Sequence, residues 1–85
     1  MVGGKHVKAY IVTMDDGDGE RTIDKVFVDR RKARSFWVYD IWAYGTLNPE
    51  FHELKQAIGS FHIAERTGRG SMYGDPVLIV KEVTQ

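Results

Sequence analysis

Along residues 6–14 the apolar positions fall on both parities, with Val7, Ala9 and Ile11 on one and Tyr10 and Val12 on the other. This pattern predicts a strand that is partly covered on both faces. The run Asp15-Asp16-Gly17-Asp18-Gly19-Glu20 is turn chemistry, since glycine supplies positive φ and aspartate makes local side-chain turns. Residues 22–28 are rich in β-branched side chains and predict a second strand, paired with the first as an antiparallel hairpin. Asp29 suits a helix N-cap, and the spacing beyond it predicts a helix from Arg30 to about Tyr44, stopped by Gly45.

A second, shorter helix is predicted over 49–58. Asn48 suits its cap, Pro49 its first position and Gly59 its end, while Leu47, Phe51, Leu54 and Ile58 supply the apolar spacing. Residues 61–67 and 77–83 read as a third and a fourth strand. Between them lies GRGSMYGDP, residues 68–76, which is rich in breakers and predicts a mobile hairpin loop. The order is strand, strand, helix, helix, strand, strand. The fold class that follows is a single α+β domain over 1–85: an antiparallel sheet of about four strands with two helices packed on one face.

The first helix carries the feature that most needs an explanation. FWVYDIWAYG, residues 36–45, has Asp40 as its only charge. At about 100° per residue, Ala33, Phe36, Trp37, Ala43 and Tyr44 gather on one side together with Asp40. Val38 and Trp42 point almost the opposite way. If Asp40 faces solvent, Val38, Ile41 and Trp42 form the core side instead. One reading has the second helix covering the surplus inside the monomer. The other makes Trp37, Tyr39, Trp42 and Tyr44 an apolar anchor for a protein partner or a second copy of the chain, with Arg30, Arg31 and Arg34 as its electropositive rim.

Composition narrows the function classes. With 42% hydrophobic and 12% aromatic residues, the chain has enough apolar material for a packed core. Twelve basic and twelve acidic residues give a net charge of zero, which provides no general attraction to nucleic acid or membrane and weak resistance to self-association. There is no cysteine, so disulfides, thiolate catalysis and cysteine-ligated metals are excluded, and a cytoplasmic location is the default. MVGG reads as a flexible start or a cloning remnant. MVGGKHVK lacks the apolar run of a secretory signal, and no segment approaches the length of a membrane span.

No catalytic constellation emerges. Taking Gly19 as the sixth position of a calcium loop puts Met14 first and Lys25 twelfth, so the register fails at two ligand positions. His6, His52 and His62 lack metal-pair spacing, and Ser35, Ser60 and Ser71 lie in no nucleophile motif. The expectation is a non-enzyme without a cofactor. Two binding chemistries remain besides the aromatic helix. In the glycine-rich loop, Arg69, Met72 and Tyr73 are adaptable contact residues. A nucleic-acid reading uses Arg30, Arg31, Lys32, Arg34 and Arg69 on phosphates, with Tyr73 stacking on a base.

The segment YIVTMDDGDGERTIDKVFVDRRKARSFW, residues 10–37, resembles the opening of small accessory proteins of phages and mobile elements. There an initial hairpin leads through a phrase like VFVDRRKARSFW into the main helix. The resemblance covers about a third of the chain and contains no catalytic motif. It implies a compact α+β protein that binds or inhibits a host protein.

Overall fold

A computed structural model describes residues 6–15, 18–40, 51–72, 74 and 76–84. They form an α+β unit with a four-stranded antiparallel sheet and two helices. Strands β1 (His6–Asp15) and β2 (Arg21–Phe27) make the expected hairpin, and helix α1 (Arg30–Ser35) follows. A π-helical turn, Phe36–Asp40, continues α1. Helix α2 (Phe51–Thr67) then leads to strands β3 (Arg69–Ser71) and β4 (Val77–Thr84). The sheet order is β2-β1-β4-β3, which leaves β2 and the short β3 as its two edges.

Asp29 caps α1 as its chemistry predicts. Its carboxylate accepts hydrogen bonds from the backbone N–H groups of Arg31 at 2.8 Å and Lys32 at 3.3 Å. The expected continuation as an α-helix to Tyr44 gives way at Phe36, where the π turn begins. Trp42, Tyr44 and the Gly45 stop lie outside the described residues, as do the Asn48 cap and Pro49.

The strand predicted over 61–67 is corrected: these residues are the last turns of α2. Ala57, Phe61 and Ala64 are all buried, and their spacing is that of one helix face, with Leu54 and Ile58 packed alongside. Gly59 therefore lies inside the helix and not at its end. The stop is Gly68, at φ 92°, whose N–H donates to the Ala64 carbonyl at 2.8 Å. A glycine ends a helix by adopting the left-handed conformation, and Gly68 does so.

The loop expected after the third strand instead contains β3, paired with β4 through Arg69 and Ile79, Gly70 and Leu78, and Ser71 and Val77. Gly70 is buried directly against the Ser60 carbonyl and the Ala64 side chain. A Cβ at this position would collide with the backbone of α2, so the residue type sets the close approach of helix and strand.

The core gathers Tyr10, Val12 and Leu78 from the sheet, Ala33, Phe36, Trp37 and Val38 from the first helical segment, Ala57, Phe61 and Ala64 from α2, and Met72. Phe36, Trp37 and Val38 are consecutive and all buried, which a single packing face does not allow. Phe36 meets Phe27 of β2 at 5.4 Å between ring centroids. Trp37 donates its indole N–H to Ser60 Oγ of α2 at 2.8 Å, and that hydroxyl donates onward to the Ala57 carbonyl at 2.9 Å. The segment is thus held from two sides.

Candidate interaction surface

The strand registers define a second face of the sheet. Tyr10 pairs with Val80 and Val12 with Leu78, and these four residues pack into or against the core. Alternation along the strands turns Val7, Ala9, Ile11 and Thr13 the other way, together with their β4 partners Val83, Lys81, Ile79 and Val77. On β2, Val26 pairs with Ile11 and Ile23 pairs with Thr13. Val26, Ile11 and Ile79 therefore form one cross-strand row, and Ile23, Thr13 and Val77 form the next.

The centre of this face is aliphatic where a solvated antiparallel sheet normally alternates to polar residues, while exposed Lys81 of β4 and Arg69 and Ser71 of β3 share it. Ile23 is 66% exposed, Val26 56% and Val83 39%. Ile11 and Ile79 are half-buried, and Val77 is enclosed. Arg21 lies at the margin, with its guanidinium 3.3 Å from Thr13 Oγ1. Single exposed apolar residues are ordinary on proteins; here exposed Ile23 and Val26 continue in register into half-buried Ile11 and Ile79.

A β-bulge shapes the edge of this face. Val12 pairs with Lys25, and the next residue, Thr13, pairs with Ile23, leaving Asp24 as the extra residue on β2. The bulge is the reason Ile23 and Val26, three positions apart, share a face. Six of the seven β2 residues are exposed, and only Phe27 is partly covered.

On the helix side a polar network ties three elements together. Glu65 of α2 accepts a hydrogen bond from the Tyr10 hydroxyl at 2.7 Å and a fork from Arg30, with Nε at 2.7 Å and Nη2 at 3.0 Å. The Arg30 guanidinium lies 5.4 Å from the centroid of the Phe61 ring, which stacks on Tyr10 at 5.6 Å. The Arg30 hydrogen bonds hold the Glu65 carboxyl below the usual carboxylate range. Burial, reinforced by the bond to Glu65, pushes the Tyr10 hydroxyl up to about 12. This arrangement is a clamp between β1, α1 and α2. An open cleft of about 470 Å³ is lined by Lys25, Phe27, Lys32, Ser35, Phe36 and Asp40.

The residues singled out from sequence are dispersed. Trp37 is fully buried and hydrogen-bonded, so it serves the core and presents no surface. Tyr39 is 51% exposed, whereas Trp42, Tyr44 and Tyr73 lie outside the described residues. Arg30 is committed to Glu65, Arg31 is exposed and Arg34 is half-buried. Arg69 is exposed on β3, but Met72 is 2% exposed within the core and is not a loop contact. Sequence reasoning passed over Ile23, Val26 and Val83. The signal was present in the odd-numbered aliphatic residues of the first strand, which demanded cover on a second face.

Comparison with protein-family models, with curated proteins and with solved structures finds no match to this chain. Among the described residues, no group of three or more histidine and carboxylate side chains is arranged to hold a metal. No described helix is long and apolar enough to cross a membrane.

Proposed function

We propose that this chain is a small non-catalytic protein-binding module whose contact surface is the sheet face turned away from the helices. The observation that carries this reading is the row Val26, Ile11 and Ile79, flanked by exposed Ile23. Such a surface gains free energy by leaving water, at roughly 25 cal/mol per Å² of apolar area. The resemblance over residues 10–37 to phage and mobile-element accessory proteins supports the same class, that of a compact protein acting on a host protein. The cytoplasm is the compartment that fits a chain without cysteine. Tyr10, Val12 and Leu78 of the sheet pack into the core with the buried helical residues, which leaves the aliphatic rows on the other parity as the docking side.

The test compares wild type with an Ile23→Thr/Val26→Thr variant, each immobilised and exposed to lysate of the source cell. Threonine keeps the β-branched shape while removing apolar surface. Proteins retained by wild type and lost by the variant are expected. Equal retention by both, or retention abolished by nuclease, contradicts the reading. The nucleic-acid alternative has already lost one of its cations, because Arg30 is neutralised by Glu65.

A further inference from the structure

We infer that the edge of this surface, strand β2, pairs with a second copy of the chain, β2 to β2, in one antiparallel register about a two-fold axis between Asp24 and Lys25. The inference rests on the protein-binding reading and names the partner at the edge of that face.

The bulge supplies the argument. Pairing with β1 puts Thr22, Lys25 and Phe27 on the helix side, through Met14, Val12 and Tyr10, and Ile23 and Val26 on the opposite face. Read outward from the Asp24–Lys25 bond, the facial pattern is the same in both directions. Ile23 and Val26 lie equally far from the centre on one face, and Thr22 and Phe27 equally far on the other. An antiparallel pair places directly opposed residues on the same face. In this register Ile23 meets Val26 of the second copy, Thr22 meets Phe27, and Asp24 meets Lys25. Each contact occurs twice, as an isologous interface requires.

Charge settles the choice between a blocked edge and a pairing edge. Edge strands are protected by charges that repel or cannot be buried. Here the two central charges are adjacent and opposite, and the two-fold converts them into two cross-strand ion pairs. Neither side chain is engaged by another described residue. A shift by one residue would set Asp24 against its own copy in one direction and Lys25 against its own copy in the other, so both ion pairs are lost. The joined edges also bring the two aliphatic faces into one continuous surface, and the zero net charge of the chain does not oppose the approach.

The experiment is sedimentation equilibrium on wild type, Asp24→Lys, the swap Asp24→Lys/Lys25→Asp, and Ile23→Thr/Val26→Thr, with circular dichroism as the check on folding. Wild type is expected to dimerise. Asp24→Lys sets lysines against each other and should raise the dissociation constant at least about tenfold, and the swap should restore it to within about threefold. Dimerisation unchanged in Asp24→Lys but lost in Ile23→Thr/Val26→Thr overturns the register and leaves the apolar face as the contact. A swap that fails to rescue a folded chain also overturns the register. A wild type that stays monomeric overturns the second copy as occupant, while the protein-binding reading is judged separately by the lysate comparison.

Discussion

Arg30 and Glu65 stand 35 residues apart in the chain and meet in a two-point fork, Nε to Oε2 at 2.7 Å and Nη2 to Oε1 at 3.0 Å. The same carboxylate takes the Tyr10 hydroxyl, so one group joins the hairpin, the first helix and the second. Charged, forked hydrogen bonds are stronger than neutral ones, although the half-exposed Arg30 limits the gain. Glu65→Gln keeps the volume and removes the charge. It should destabilise the chain by about 1–2 kcal/mol in urea unfolding. No change in midpoint would mean that the clamp is incidental.

The pH dependence has a definite sign at each end. The folded Glu65 carboxyl lies below its unfolded value of 4.5, so its contribution is complete above pH 4.5 and is lost as pH falls through the folded value. The folded Tyr10 hydroxyl lies above its unfolded value of 10.0, so its contribution is complete below pH 10 and is lost as pH rises through about 12. Melting curves should show the gap between wild type and Glu65→Gln closing in acid. The gap between wild type and Tyr10→Phe should close, or reverse, in strong alkali.

Two glycines in neighbouring elements should respond oppositely to the same substitution. Gly59 is helical with open space where a Cβ would stand, so Gly59→Ala should stabilise by about 0.5–1 kcal/mol. Gly70 abuts the Ser60 carbonyl, so Gly70→Ala must push α2 away from β3 and should cost on the order of 1–3 kcal/mol. Thermal melts of the two variants shifting in the same direction would contradict this placement of α2.

The hairpin, the Asp29 cap and β4 were legible because each rests on local chemistry: alternation, turn residues and a short polar side chain before a helix. The extent of α2 was not. Gly59 carries the same letter as a helix stop, and Phe61 and Ile63 flank His62 as neighbours on one face of a strand would. Only burial of Phe61 and Ala64 beside Ala57, with Ile63 left 45% exposed, reveals the helical period. Trp37 was misassigned to a surface for a related reason. A 100° wheel assumes one covering layer, whereas α2 and the sheet hold this segment from two sides. The outer sheet face was half legible, since the parity of Val7, Ala9 and Ile11 announced it. Its edge was hidden by the bulge at Asp24, which moves Ile23 and Val26 onto one face in a way that strict alternation does not foresee.

The central claim is that the β2 edge of the aliphatic sheet face is a contact between copies of the chain. Amide hydrogen exchange measured across a range of protein concentrations tests it most directly. Exchange in β2 is expected to slow as concentration rises, centred on Ile23 to Val26, while exchange in α2 stays constant. Exchange in β2 that is fast and independent of concentration would contradict the claim.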